Sequence, residues 1–224
     1  MPADCVEAMK AVIYSALFGH YFEKLPPMPL QEWPAVCFTD DPNLTALGWD
    51  VRVVDRPEAT PRLKAKWFKL HPDALFPDMD VSIWIDAGWQ VVNPNFAHEA
   101  LGYLNGSPAV FYPHRWHQNI REELAASTHP KMSAYPLAAQ VQCYLDQGLP
   151  ADAPILECTS IVRKHHDPRV VEMDKSWWWE NVTWSECDQL SLPFVLWKTR
   201  MPYSRFPFTL AGQSWFSLSQ WRAD

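Results

Sequence analysis

Two kinds of hydrophobic pattern alternate along the chain. Short runs rich in β-branched and aromatic residues predict buried strands, and these runs occupy residues 10–18, 35–39, 49–54, 81–85, 109–112 and 155–162. Apolar residues at helical spacing predict helices, which cover residues 63–75, 96–104, 119–126, 137–145, 170–184 and 190–197. Because strands and helices alternate, we expect an α/β fold with a mostly parallel sheet flanked by helices.

The length of 224 residues suits one large domain. We predict a single domain over residues 1–224, with its core at about residues 10–200. Residues 201–224 are rich in aromatic side chains and proline, and we expect them to pack on that core as an irregular tail. No internal repeat or low-complexity linker divides the chain.

Composition excludes several classes of function. The chain has 7 Gly and 21 Pro, and neither G-x-G-x-x-G nor G-x-x-x-x-G-K-[ST] occurs, so the common dinucleotide fingerprint and the P-loop are absent. A net charge of −7 disfavours general nucleic-acid binding, which needs a basic surplus. No apolar run approaches the roughly 20 residues of a membrane span. The amino terminus lacks the pattern of a secretory signal, and five scattered cysteines favour free thiols in a cytoplasmic protein.

Polar residues follow several predicted strands at the point where each strand ends. Ligands in open α/β sheets bind beyond the carboxyl ends of the strands, so these residues are candidates for a binding site: Ser15, Asp40, Asp41, Asp86, His114 and Arg115. Asp86 directly follows a five-residue run, 81–85, in which four residues are apolar. A carboxylate there is costly unless a cation or hydrogen-bond donors satisfy it. Two interpretations of Asp86 remain open, a cap of the following turn and a ligand or metal-binding carboxylate.

A series of motifs runs in order along residues 10–200. A basic segment from Lys64 leads to the strand that ends at Asp86, and further motifs are YSALFGHYF at 14–22, CFTD at 37–40, HR at 114–115, REE at 121–123, LE at 156–157, RKH at 163–165, WWWE at 177–180 and DQLSLPF at 188–194. Together they resemble the TOD/MUCI-type glycosyltransferase-like domain family, which is similar in layout to GT-A glycosyltransferases of the glycogenin class. The resemblance implies a single GT-A-like, Rossmann-like domain that binds a nucleotide-sugar across the strand ends.

The resemblance also implies which residues meet the donor. Ser15 and Phe18 would contact the nucleotide, and Asp40 would approach the base or ribose. Lys66 and Lys69 lie three residues apart and therefore share a helix face, from which they would meet the diphosphate as point charges. Solvated lysines on an amphipathic helix are the alternative.

Four further residues have two interpretations each. Glu157 and Arg163 lie six residues apart in one predicted strand and so face the same side. They are either a buried ion pair or contacts to sugar hydroxyls. Trp89 and Trp116 follow strand ends and offer aromatic faces for a sugar ring or a base, with core packing as the alternative for each.

The metal dependence implied by the resemblance stays open, because the sequence departs from the D-x-D motif. Glycine occupies the position of the second carboxylate in Asp86-Ala87-Gly88. Asp86, together with His114, remains a candidate for binding a divalent cation, Mn²⁺ or Mg²⁺. Metal-independent binding through Lys66, Lys69 and Arg115 is the alternative.

Asp188 and Gln189 are the candidate catalytic residues. Similar enzymes place a carboxylate or amide near the anomeric carbon of the sugar, where it stabilises an oxocarbenium-like centre or takes the acceptor proton. A helix N-cap is the alternative interpretation of Asp188.

These observations predict a glycosyltransferase, hexosyl or related, that moves a sugar from a nucleotide-sugar donor to a glycan or small-molecule acceptor. The alternative is a catalytically silent nucleotide-sugar or carbohydrate-binding domain, which the degenerate D-x-D favours. A nucleotidyltransferase is a third interpretation, but no glycine-rich basic loop follows the first strand.

Overall fold

The computed structural model describes residues 9–22, 24–128 and 133–218. Nine strands lie within these residues: β1 (Ala11–Leu17), β2 (Ala35–Thr39), β3 (Asp50–Val53), β4 (Val81–Ile85), β5 (Trp89–Val91), β6 (Ala109–Pro113), β7 (Leu156–Arg163), β8 (Ser204–Arg205) and β9 (Phe216–Leu218). Seven of them form the main sheet, in the order β3-β2-β1-β4-β7-β6-β8, while β5 and β9 form a separate two-stranded sheet. The fold is therefore the single-domain α/β fold that the sequence predicts.

The main sheet is parallel except at one strand. Strands β1, β2, β3 and β4 pair in parallel, as do β6 and β8, whereas β7 is antiparallel to both of its neighbours. The chain builds β2 and β3 on one side of β1 and then continues with β4 on the other side. This reversal of strand order leaves a crevice at the carboxyl ends of β1 and β4.

Helices cover the sheet and complete its hydrophobic core. They are α1 (Pro61–Leu70), α2 (Pro72–Leu75), α3 (Phe96–Gly102), α4 (Ile120–Ala126), α5 (Leu137–Asp146), α6 (Pro168–Thr183) and α7 (Asp188–Thr199). Side chains alternate along a strand, so Val12 and Tyr14 of β1 pack with α1, α6 and α7 on one face. Ala11 and Ile13 pack with α3 and the carboxyl-terminal segment on the other.

The carboxyl-terminal segment is less irregular than the sequence predicts. Strand β8 joins the edge of the main sheet beside β6, and β9 pairs with β5. Phe206 and Trp215 of this segment are buried against the sheet. Strands of two or three residues carry no readable hydrophobic period, which is why the sequence did not predict them.

Two predictions from composition can be compared with the structure. Within the described residues, no helix is long and apolar enough to cross a membrane. Four cysteines, at positions 37, 143, 158 and 187, are free thiols as predicted, and Cys5 lies outside the described residues.

Candidate functional site

A cavity of about 540 Å³ opens at the carboxyl ends of β1 and β4, where the strand order reverses. Aromatic side chains form much of its wall, and cationic groups lie on α1. This combination suits a ligand with both an apolar ring and an anionic group. The wall includes Phe18, Phe22, Arg62, Lys66, Lys69, Trp84, Asp86, Trp89 and Gln189.

Helix α1 presents its cationic side chains to the cavity on one face. Arg62, Lys66 and Lys69 all line the cavity, because spacings of four and three residues place side chains on the same side of a helix. The side-chain oxygen of Thr60 caps the helix by accepting a hydrogen bond from the backbone N–H of Leu63 at 3.1 Å. The cap fixes where the helix begins and so sets the direction of all three side chains.

Asp188 is the first residue of α7, and its carboxylate lies between two lysines. One oxygen is 2.6 Å from Nζ of Lys69 and also pairs with Nζ of Lys66. Lys69 donates a further hydrogen bond, at 2.6 Å, to the backbone carbonyl of Cys158. The carboxylate of Asp188 faces these lysines rather than the amides of its own helix, so the N-cap interpretation is wrong.

The ionisation of this cluster follows from its burial and its pairing. Burial by itself raises the pKa of Asp188, but the ammonium groups of Lys66 and Lys69 outweigh this effect and hold the pKa well below its ordinary value. Burial lowers the pKa of Lys66. For Lys69, burial acts in the same direction, but Asp188 and Asp86 outweigh it and raise the pKa above its ordinary value. Asp188 is therefore a permanent anion and a very weak base.

Asp86 ends β4 with a carboxylate that reaches the cavity. Its Oδ1 accepts a hydrogen bond from the indole Nε1–H of Trp84 at 2.7 Å, and Nζ of Lys69 is 3.6 Å from the same oxygen. The side chain of Asp86 is 44% exposed. It is thus held in place at one oxygen while remaining able to accept a hydrogen bond from a ligand.

The surroundings of Asp86 fit a divalent cation poorly. Gly88 stands where a D-x-D motif has its second carboxylate, and a Cβ at this position would lie 2.8 Å from Cζ of Phe22. Lys69 already brings positive charge to the only carboxylate of the motif. Hard divalent cations need several oxygen ligands around them, and Asp86 supplies the one carboxylate of this motif. The divalent cation stays a prediction.

A second polar cluster lies beside the cavity, at the end of β6. Arg115 donates from Nη2 to Oε1 of Glu157 at 3.0 Å. Nε2 of His114 lies 3.7 Å from Oε2 of Glu123 and 3.9 Å from Oε2 of Glu157. Because β7 runs antiparallel to β4, its amino end with Glu157 meets the same sheet edge as Asp86. Both clusters therefore lie along one edge of the sheet.

Hydrogen bonds determine which nitrogen carries the proton in two histidines of this cluster. Nδ1 of His114 accepts from the backbone N–H of His117 at 2.9 Å, so the neutral ring carries its proton on Nε2. Burial lowers the pKa of His114 and favours this neutral form at pH 7. Nδ1 of His117 donates to Oε2 of Glu123 at 2.6 Å, because the carboxylate can only accept.

This proton arrangement bears on the predicted metal ligand. His114, His117 and Glu123 offer ligand atoms within 4.8 Å of one another, which is close enough for one metal ion. However, Nδ1 of His114 is engaged by a backbone amide and Nε2 carries the proton, so neither nitrogen has a lone pair left for a metal. The geometry gives no support to His114 as a ligand.

Two other predicted residues, Phe18 and Asp40, directly follow strands β1 and β2. Phe18 lines the cavity and stacks on Phe68, with ring centroids 5.4 Å apart. Asp40 accepts a hydrogen bond from the backbone N–H of Gly19 at 3.0 Å. Asp40 thereby fixes the turn that follows β1, which is a structural role in addition to the predicted contact with the base or ribose.

The structure does not bring Ser15 or Arg163 to the cavity. Both side chains are fully buried. Arg163 lies opposite Ser82, at the far end of β7 from Glu157, and donates from Nη1 to Asp174 at 2.6 Å. The ion-pair interpretation is wrong, because Glu157 pairs with Arg115 and Arg163 pairs with Asp174. The contact of Glu157 with sugar hydroxyls stays a prediction.

Sequence reasoning missed several residues of this edge of the sheet. Arg62 and Trp84 line the cavity, and Glu123 and His117 complete the second cluster. Arg62 was detectable, since it lies four residues before Lys66 on the same helix face. Glu123 belongs to the REE motif at 121–123, but its contact with His117 appears only in the folded structure. Trp84 carries no signal that separates it from the core residues around it.

Comparison of the sequence with known proteins identifies its family. No curated protein matches the chain. Residues 38–211 match the TOD1/MUCI70, glycosyltransferase-like domain, and the match includes the α1 lysines, Asp86, the second cluster and Asp188. It extends over more than three-quarters of the sequence. The chain therefore belongs to the TOD1/MUCI70 glycosyltransferase-like domain family.

Proposed function

We propose that the protein is a glycosyltransferase that moves a sugar from a nucleotide-sugar donor to a glycan or other acceptor. The observation that carries this proposal is the cavity at the strand-order reversal, with aromatic walls, lysine ammonium groups and an exposed carboxylate side by side. A nucleotide-sugar presents a flat base, a diphosphate and sugar hydroxyls, so each chemical part has a matching surface. Membership of a glycosyltransferase-like family supports the same conclusion.

Lys66 and Lys69 are the proposed partners of the diphosphate. Two ammonium groups face the buried carboxylate of Asp188, and the partly exposed carboxylate of Asp86 lies 3.6 Å from Nζ of Lys69. The side chain of Lys66 is 13% exposed, against 1% for Lys69, so Lys66 is the group that reaches a ligand. In this proposal the lysines do the work that a divalent cation does where a second carboxylate is available.

We propose different roles for the two candidate catalytic residues, Asp188 and Gln189. The strongly lowered pKa of Asp188 makes proton abstraction from an acceptor unfavourable. We therefore assign Asp188 to positioning the lysines and keeping them charged when a diphosphate leaving group departs. Gln189 follows it directly and lines the cavity, so its amide is placed to bond the sugar. The exposed carboxylate of Asp86 is proposed to accept a hydrogen bond from a sugar hydroxyl.

The proposal is tested by nucleotide binding and then by turnover. UDP, GDP, CDP and ADP, followed by the sugar derivatives of any that bind, are added to the protein in thermal-shift and calorimetric experiments. A ligand at 100 times its dissociation constant should stabilise the fold by about 2.7 kcal/mol. The Lys66→Met variant should lose this stabilisation, whereas Lys64→Met should keep it, since Lys64 pairs with Asp55 on the outer side of α1.

Turnover separates the enzyme from a silent binder. Release of the nucleoside diphosphate from a bound nucleotide-sugar, in the presence of oligosaccharides or water, is the expected result for the wild-type protein. Tight donor binding without release from any donor would support the silent binding domain, for which the glycine at position 88 is the specific observation. Failure of every nucleotide and nucleotide-sugar to bind would contradict both the transferase and a silent domain that binds nucleotide-sugars.

A further inference from the structure

A guanidinium group lies between two indole rings beside the cavity. Cζ of Arg115 is 5.2 Å from the ring centroid of Trp89 and 4.5 Å from that of Trp116. Trp89 lines the cavity, while Trp116 is 71% exposed. The three side chains therefore form a continuous surface, here called the Trp89–Arg115–Trp116 stack, that leads outward from the cavity.

A buried carboxylate, that of Glu157, holds Arg115 of the stack in place. Glu157, whose side chain is only 4% exposed, accepts a hydrogen bond from Nη2 of Arg115 at 3.0 Å. The positive charge of a guanidinium is attracted to the face of an indole ring, and this cation–π interaction holds the ring in one orientation. Arg115 thus covers one face of Trp116, and the high exposure of that residue leaves its outer surface to solvent. An exposed aromatic ring of this kind, continuous with a ligand cavity, is typical of a binding surface.

The charges around the stack are already paired. Arg115 pairs with Glu157, and His117 pairs with Glu123 at 2.6 Å. An anionic ligand would have to compete with Glu157 for Arg115 and with Glu123 for the His117 ring. The surface therefore offers an indole face together with Nε2 of His117, which can form a hydrogen bond with a hydroxyl.

We propose that the Trp89–Arg115–Trp116 stack is the acceptor subsite and that it binds a neutral oligosaccharide. A pyranose ring presents a face of C–H groups that packs against an indole, and hydroxyls at its edge that hydrogen bond to groups such as His117. The inference rests on the proposed function, because it assigns this surface to the acceptor of the same reaction. The position of the stack next to Trp89 places the end of such a chain at the mouth of the cavity.

The test compares two exposed tryptophans. Trp116→Ala is measured against Trp179→Ala, since Trp179 is 67% exposed and lies on α6, away from the stack. Binding of maltohexaose, cellohexaose, xylohexaose and chitohexaose is followed by saturation-transfer NMR and calorimetry, with trigalacturonate as the acidic probe. We expect at least one neutral hexasaccharide to bind wild type and Trp179→Ala equally, and to bind Trp116→Ala about tenfold more weakly, which corresponds to about 1.4 kcal/mol.

Three results would overturn the inference. They are no binding of any neutral hexasaccharide to wild type, an equal loss in both variants, and binding of trigalacturonate alone. Nucleotide affinity is measured on the same three proteins and should not change with either substitution. If no nucleotide binds but a hexasaccharide does so through Trp116, the proposed transferase function fails while the saccharide subsite stands.

Discussion

At the scale of single residues, the site depends on carboxylates whose neighbours determine what they can do. Asp188 and Asp86 both lie within reach of Lys69, at 2.6 Å and 3.6 Å. Burial between two ammonium groups makes Asp188 a fixed anion, whereas Asp86 stays partly exposed and bonded to Trp84. Identical side chains thus have different proposed roles, positioning for Asp188 and ligand binding for Asp86.

Replacing Asp188 by Asn should destabilise the fold in a pH-dependent way. The variant leaves two buried ammonium groups without their carboxylate, which typically costs about 3 kcal/mol. The folded chain holds the pKa of Asp188 below the ordinary 3.8. As the pH falls below 3.8, the unfolded chain therefore binds a proton at this residue while the folded chain does not. Wild type should therefore lose this stabilisation below pH 3.8, by up to about 1.4 kcal/mol for each pH unit.

Urea unfolding of wild type and Asp188→Asn at several pH values measures this effect. The difference between the two proteins should be constant from pH 5 to pH 7 and shrink below pH 3.8. A variant as stable as wild type at pH 7 would mean that the carboxylate does not stabilise the lysine pair.

Replacing Asp86 by Asn should change how the protein distinguishes a nucleotide-sugar from the bare diphosphate. Asn retains an oxygen for the indole N–H of Trp84, so the fold should be unchanged. The proposed hydrogen bond from a sugar hydroxyl to a charged acceptor is worth about 1.5–3 kcal/mol. The affinity for the nucleotide-sugar, divided by the affinity for the nucleoside diphosphate, should therefore fall at least tenfold. Calorimetry measures this affinity ratio for Asp86→Asn and for the control Asp78→Asn, in which an exposed carboxylate is replaced. Equal ratios in the two variants would mean that Asp86 is only a turn residue.

At the scale of secondary-structure elements, the sequence predicts the buried strands and long helices well. Residues 81–85 were predicted as a strand and form one at the same positions, because five consecutive buried residues between polar ends leave little choice. The shared face of Lys66 and Lys69 followed from helical spacing alone. The position of Arg163 did not, because it depends on β7 being antiparallel, which is a property of the assembled sheet.

The turn that follows the first strand packs against the start of the lysine-bearing helix, and a substitution there should disturb both. Gly19 has a φ of +66°, and a Cβ would lie 2.4 Å from Cγ of Pro61, the first residue of α1. The left-handed conformation costs about 1–2 kcal/mol for a residue with a Cβ, and the clash adds to it. Gly19→Ala should therefore destabilise the fold and weaken nucleotide binding by displacing Lys66.

Gly102→Ala provides the matched control. A Cβ at Gly102, at the end of α3, meets nothing within 4 Å, and alanine is favoured over glycine in a helix by about 0.5–1 kcal/mol. This variant should melt at or above the wild-type temperature with unchanged nucleotide affinity. Equal melting temperatures for both variants would show that the turn after β1 tolerates a side chain.

At the scale of the whole molecule, the site is assembled from parts that are far apart in sequence. The switch in strand order opens the cavity, α1 supplies cations, and α7 supplies the buried anion. Trp89 of β5 and the segment after β6 together supply the aromatic stack. The sequence could propose most of these residues individually. It could not show that Asp188 pairs with both lysines or that Phe22 occupies the space beside Gly88, because these facts depend on tertiary packing.

This assembly predicts nucleotide binding that does not need a divalent cation. The lysine pair supplies positive charge, while Gly88 cannot gain a side chain without moving the ring of Phe22. The dissociation constant of the nucleoside diphosphate that binds best should therefore agree within about twofold between EDTA and Mn²⁺, a difference of about 0.4 kcal/mol. Lys66→Met should weaken binding at least tenfold in both conditions, as expected for loss of a charge-assisted hydrogen bond worth about 1.5–3 kcal/mol. Binding that appears only with Mn²⁺, and that Asp86→Asn abolishes, would instead establish Asp86 as a metal ligand and reduce the lysines to a supporting role.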